Sequence, residues 1–368
     1  MTESKTPSKS FEVIKDRVQE AADISEIAGI MTKLMQRRYP NPKKILRGVH
    51  PKSHGCVNAT FLINSDIEKQ LCVGLFASPG RRYDAIVRFS NAAALVEADI
   101  DAQGNHGSRG MAIKVYDVGG EVLYDDDGQK NQDFLMINQA EFAFANIKDY
   151  LRLNRILHDN NDQPDAFFST DGLQPDEVER LQRSAQLIGK IRQIAVANPM
   201  KVSYFGAAPF LFGADRVMRF RVTPRLAEDT PPQLPDSADD NYLRNAVTET
   251  MQQDVSLEFD FAVQVRSEGD NLNIEDASQS WDDSETPFIN VALLSIPAPQ
   301  SDVNALPVEQ ICESLFYTPW HSLVAHRPLG SINRLRQAVY VASATTRRVK
   351  EFHRGQIDRF MRAFGIKL

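Results

Sequence analysis

The sequence predicts an α+β fold, an antiparallel sheet or barrel core with inserted and C-terminal helices. Two observations carry that expectation. Short β-rich runs fall in two blocks punctuated by Gly, Asp and Asn clusters, and helical periodicity occupies the stretches between and after them. The chain also has no internal repeat and no low-complexity segment, so a single domain with helical appendages is the simplest organisation.

Taken in order, residues 11–37 place Phe11, Ile14, Val18, Ile24, Ile27, Met31 and Leu34 at roughly helical spacing. This predicts an N-terminal helical arm over residues 1–40, with the main domain spanning 41–368. The first β block, from about 54 to 137, contains CVNATFLI, DAIVRFS, RGMAIKVYD and DFLMI. FANIKDYLRLNRIL and DEVERLQRSAQLIGKIRQIAV read as helices. ADRVMRFRVTP, VSLEFDFAVQVR and FINVALLSI form the second β block. TPPQLPDSADD, about 230–240, is a Pro/Asp-rich surface loop. From about 328 the chain turns helical again, with Ser331 placed to act as N-cap.

Composition narrows the function. The 368 residues are 42% hydrophobic, enough for a sizeable core. Charged residues are 25% and the formal net charge is −7, which argues against a nucleic-acid partner. The N-terminus lacks an apolar signal region and no 18-residue apolar run appears, so no transmembrane segment is expected and the reading is a soluble, cytoplasmic protein. Cys56, Cys72 and Cys312 are too few and too scattered for a disulfide framework or a zinc site, and they predict reduced thiols. His50, His54 and Cys56 cluster locally, but no further ligand set completes a metal site.

RLRQAVYVASATTRR, residues 334–348, is the most suggestive helix. It sets Tyr340 on one face with Arg336 four residues before and Arg347 seven after, and Ser343 and Ala344 keep the neighbourhood small. A free tyrosine titrates near 10, and an adjacent positive charge favours the phenolate, a hard anionic ligand suited to ferric iron. By itself the helix reads more simply as an amphipathic segment with a half-buried tyrosine and two solvated arginines, since R-x-x-x-Y arises often by chance.

Four other stretches decide between these readings. LRGVHPKSHG (46–55), IVRFSNA (86–92), SRGMAIKVYD (108–117) and NQDFLMINQAEFAF (131–144) precede R-x-x-x-Y in that order. Together the five motifs resemble the haem catalase superfamily, especially its small catalase-related peroxidases and allene oxide synthases. The resemblance covers roughly 43–150 and 320–350 and is thin between them. It implies a catalase-like antiparallel β-barrel core, a haem-binding domain over 41–368 and haem b as cofactor, with Tyr340 as the iron ligand. It further implies that Arg336 keeps Tyr340 ionised and that Arg47, Arg88 and Arg347 pair with the haem propionates. His50 matches the distal proton shuttle, Ser90 its hydrogen-bond partner, Asn131 the distal asparagine, and Phe144 an aromatic near the distal face. The substrate class implied is a small-molecule peroxide, and a homo-oligomer is implied because such relatives commonly form dimers or tetramers.

The physical logic agrees with these roles. Splitting an O–O bond unevenly needs a base that takes a proton from one oxygen and returns it to the other, which suits a histidine. An uncharged amide donor helps where negative charge develops, and two buried carboxylates need arginines.

The chain also departs from catalases. It reads Gly107-Ser108-Arg109-Gly110 where many have D-P-R-G, and Gln132-Asp133-Phe134 where Thr-Pro-aromatic is usual. Val49 precedes His50 as in catalases, whereas allene oxide synthases carry threonine there. These departures point away from efficient hydrogen peroxide dismutation and towards a shorter, wider approach to the haem. The leading expectation is an enzyme acting on organic hydroperoxides, fatty-acid hydroperoxides among them, as a peroxidase or an isomerase. The alternatives are catalase activity and a non-catalytic haem-binding protein.

Overall fold

The computed structural model describes residues 11–347 apart from 125–127, 228, 230, 236–238, 268, 271, 301 and 304. The expected ends of the arm at residue 1 and of the main domain at residue 368, and the middle of the Pro/Asp-rich loop, lie outside the described residues.

Helix α1 (Arg17–Arg38) starts where Asp16 accepts hydrogen bonds from the Val18 and Gln19 N–H groups at 3.0 Å each. The helix therefore begins later than the apolar spacing from Phe11 suggests. Four strands follow: β1 (Ser53–Ile63), β2 (Arg82–Asn91), β3 (Arg109–Val115) and β4 (Gln132–Ile137). Then come helices α2 (Ile147–Asp159) and α3 (Pro175–Gln193), each at its expected place. Strands β5 (Tyr204–Phe205), β6 (Phe210–Leu211) and β7 (Arg216–Pro224) lead to helix α4 (Tyr242–Gln252). Strands β8 (Leu257–Ser267) and β9 (Ile289–Ile296) and helices α5 (Leu306–Ser314) and α6 (Ser331–Thr346) complete the order.

All the strands pair antiparallel in the order β5-β4-β3-β2-β1-β9-β8-β7-β6, and β5 also pairs with β7. That second pairing closes the sheet into a barrel. Alternate residues point inwards, so Val57, Phe61, Phe134, Phe220 and Phe261 fill the interior. Phe134 stacks edge-on to Phe220 at 5.0 Å and lies 4.7 Å from Phe261. Burying each such ring contributes roughly 2–3 kcal/mol.

The other alternate set, Arg88 and Ser90 of β2, Gly110 and Ala112 of β3, and Leu135 and Ile137 of β4, faces outwards, and there the helices matter. Helix α6 packs mainly on α1 and α2, with Ile27, Leu151, Leu335 and Val339 forming a shared apolar cluster. It stands off from the strands, and the gap between it and the outer face of β2–β4 is the site described below.

Two expectations need correction, and two helices were not expected. Cys56 and Cys312 are joined in a disulfide rather than reduced. They lie 256 residues apart, and α5 packing on β1 brings their Cα atoms to 5.8 Å, a proximity no local pattern signals. Gly330, with φ of 86°, is the N-cap of α6, and Ser331 is its first helical residue, its hydroxyl spent on the Glu275 carbonyl at 3.3 Å. Helices α4 and α5 have no expectation behind them; both are short and begin without a side-chain cap.

Candidate active site

Two cross-strand rows build one wall of the cavity. In the first, Ser90 pairs with Gly110 and Gly110 with Ile137; in the second, Arg88 pairs with Ala112 and Ala112 with Leu135. Small residues in the middle strand hollow the wall at β3. A Cβ on Gly110 would stand 2.5 Å from His50 Nδ1 and 2.8 Å from Ser90 Oγ, so the imidazole occupies space that only glycine leaves.

His50 sits in the loop before β1 with φ of 59°, a left-handed backbone uncommon for a residue with a side chain. Its surroundings hold it there. The His50 N–H donates to the Ala93 carbonyl at 2.9 Å, and the His50 carbonyl accepts from Arg88 Nη2 at 3.0 Å. Its Nδ1 lies 3.0 Å from Ser90 Oγ. Burial pushes the imidazole pKa down to about 3, and the charges of Arg88, Arg336 and Arg47 act in the same direction. The ring is therefore neutral across the physiological range.

The opposite wall is α6. Arg336, Tyr340, Ser343 and Arg347 all face the cavity, as the helical spacing predicts. Arg336 Nη2 donates to the Tyr340 phenol oxygen at 3.2 Å, and Arg336 Nη1 donates to Asn333 Oδ1 at 3.2 Å. Ser343 Oγ accepts the Gly48 N–H at 3.3 Å, which ties the histidine loop to the tyrosine helix. Gly48 itself permits close packing: a Cβ there would stand 2.2 Å from Met31 Sδ of α1.

One end of the cavity is strongly cationic. Arg47, Arg88 and Arg347 gather there with Glu313. Burial, then the neighbouring Arg47, pushes Arg88 down to about 10 and Arg347 down to about 9. Among the described residues, the Nε atoms of Arg88 and Arg347 are buried without a hydrogen-bond partner.

Seven of the residues expected from the sequence thus meet in one cavity: Arg47, His50, Arg88, Ser90, Arg336, Tyr340 and Arg347. Phe144 lies next door, in an adjoining chamber that shares Met31, Val49, His50, Ile137 and Phe142 with the first. Asn131 does not join them. It immediately precedes β4, six residues before Ile137, which is roughly 20 Å along a strand from the row that faces His50. Its amide is buried and donates to Gln129 Oε1 at 3.4 Å. The outward positions of β4 nearest His50 are the apolar Leu135 and Ile137. The motif match placed the asparagine by its residue type, and the strand register overrules it.

Sequence reasoning missed three other residues. Tyr150 of α2 lines both chambers, and burial, reinforced by Tyr340, pushes its phenol up to about 12, so it stays protonated. Gln139, just beyond β4, lines the second chamber, with Ser108 Oγ donating to its Oε1 at 2.5 Å. Glu313 had no sequence signal, because only the fold brings α5 to the arginines. Among the rejected metal-cluster residues, His54 Nε2 pairs with Asn91 Oδ1 at 2.9 Å and Cys56 is in the disulfide.

The barrel with its outer-face cavity defines the class of fold: it is that of the catalases. A fungal catalase matches with a TM-score of 0.61 and 14% identity, over 86% of this chain and 60% of the other. A bacterial catalase matches with a TM-score of 0.62 and 16% identity, over 94% and 64%. Catalase A from Saccharomyces cerevisiae matches with a TM-score of 0.64 and 14% identity, over 95% and 68%. The chain therefore spans about two thirds of the length of these structures. No family model matches the sequence, and no curated protein does either.

Proposed function

We propose that this protein is a haem-dependent enzyme that cleaves the O–O bond of organic hydroperoxides, fatty-acid hydroperoxides among them. The observation that carries the substrate class is the second chamber. It opens from His50 and is lined largely by apolar side chains, including Leu34, Phe142, Phe144, Leu153 and Leu157. An alkyl or acyl chain would bury apolar surface there, at roughly 0.8 kcal/mol per methylene. Hydrogen peroxide has no group to place in it.

The residues fit a haem. The phenol of Tyr340 suits ferric iron, and Arg336 donates to its oxygen, stabilising the phenolate. The buried, under-neutralised arginines 47, 88 and 347 suit two propionates. Bound haem would supply a redox-active ferric centre able to give up the two electrons that O–O cleavage delivers to the departing oxygen.

The chain's own part is proton transfer and positioning. With His50 Nδ1–H donating to Ser90 Oγ, the Nε2 lone pair takes the proton from the attacking peroxide oxygen and returns it to the leaving one. The left-handed backbone and the Arg88 contact fix where that lone pair points. The distal amide role has no support at Asn131, whose position along β4 is too remote.

The test is a comparison of substrates on haem-loaded protein. Loss of the conjugated diene of a fatty-acid hydroperoxide, at a kcat/KM above that for hydrogen peroxide, is the expected result. Fast hydrogen peroxide consumption with an intact diene would overturn the substrate class. A second reading, hydrogen peroxide dismutation, is favoured by the catalase fold and by Val49 before His50; a sustained oxygen yield at high peroxide would establish it.

A further inference from the structure

Arg47, Arg88 and Arg347 converge on a single acid. Glu313 Oε2 pairs with Arg47 Nη1, and its Oε1 lies 3.3 Å from Arg88 Nη2. Arg347 Nη1 donates to the Glu313 carbonyl at 2.8 Å. Burial raises the Glu313 pKa, but Arg47 and Arg88 outweigh it and the carboxyl stays below its usual range, so it is ionised. The backbone around it is pinned on several sides. Cys312 is bonded to Cys56 of β1, and Arg47 Nη2 donates to the Cys312 and Leu315 carbonyls at 3.0 Å each. The side chain of Glu313 is the part that can swing.

Among the described residues, three guanidiniums against one carboxylate leave a surplus of two positive charges. A dicarboxylate would neutralise that surplus, and it would compete with the Glu313 carboxylate for the Arg47 and Arg88 guanidiniums. We propose that Glu313 is a built-in counter-ion that occupies the arginine cluster until a dicarboxylate porphyrin displaces it, and so sets the protein's affinity for that porphyrin. The inference rests on the haem reading above. Glu313 acts through the arginines and is a positioning residue.

The test compares wild-type apoprotein with Glu313→Gln, each titrated with haemin and with haemin dimethyl ester and followed by absorbance. Removing the competing charge should tighten haemin binding about tenfold, the size of one charge-assisted hydrogen bond. It should leave binding of the uncharged diester equal in the two proteins, and the variant apoprotein should melt at a lower temperature. Weaker haemin binding by the variant would mean that Glu313 braces the arginines for the propionates, and would overturn the proposal. An equal gain with the diester would overturn it as well. If the variant apoprotein does not fold, the haem-loaded variant is purified and haem transfer to excess apomyoglobin is timed. Transfer slower than from wild type supports the proposal, and equal or faster transfer refutes it. A wild-type protein that binds neither porphyrin would sink the haem reading itself, so the two failures are distinguishable.

Discussion

Acid should unfold this protein at a pH where carboxylates are still ionised, because of three buried histidines. Burial pushes His50 down to about 3 and both His54 and His326 down to about 4. His326 shows the geometry behind this: its Nε2 accepts the Leu75 N–H at 3.0 Å while Nδ1 faces the Leu211 carbonyl at 3.4 Å. A proton added at Nε2 would set two donors against each other in a fully buried site. In the unfolded chain each imidazole titrates near 6.5. Between about pH 6.5 and 4 the unfolded state therefore binds protons that the native state refuses. The stability these groups support is complete above the unfolded value and is lost as pH falls through that window. At pH 5 each histidine costs roughly 2 kcal/mol relative to pH 7.5, so the three together cost about 6 kcal/mol. That is a large share of a typical total of roughly 5–15 kcal/mol. Glu12 and Asp162, whose pKa values lie below the ordinary carboxylate range, act at lower pH and leave the upper window to the histidines. Urea unfolding between pH 7.5 and 5 gives the proton uptake as the slope of stability against pH. His326→Gln should lower that uptake by about one proton near pH 5. An unchanged slope in the variant would refute the argument.

Three further outcomes are expected. Tyr340→Phe should keep its far-ultraviolet circular dichroism but bind haem at least tenfold more weakly, with an altered Soret band; a wild-type spectrum would refute the ligand assignment. Gly110→Ala should displace the His50 imidazole, costing about 1–3 kcal/mol through overpacking and slowing peroxide cleavage more than it weakens haem binding; crystal structures and kinetics of the variant would show whether the ring moves. Cys312→Ser should lower the melting temperature, since a cross-link over 256 residues removes unfolded-state entropy worth about 5 kcal/mol in the chain-entropy account; calorimetry with equal transitions would contradict it.

Much of the architecture was legible because it is written in local periodicity. Short β-rich runs such as CVNATFLI and DFLMI, set off by Gly, Asp and Asn clusters, read as strands, and they appear within β1 and β4. The stripe of Arg336, Tyr340 and Arg347 follows from helical spacing, and the structure brings all three to one cavity. Asn131 was misplaced for the complementary reason. Which residue of a strand faces a site depends on register against its neighbours, and the pairing of Gly110 with Ile137 slides Asn131 away from His50.

By itself the sequence determined the longer strands, helices α1, α2, α3 and α6, the tyrosine–arginine stripe and the histidine loop, because each is set by residues within a few positions of one another. Tertiary structure alone decided the partners separated by long stretches of chain. It joined Cys56 to Cys312 and set Glu313 among arginines 47, 88 and 347. It also opened the apolar chamber among α1, α2 and the barrel wall. Those contacts are fixed by how the barrel closes and where the helices pack on it, and no local pattern of residues carries that information.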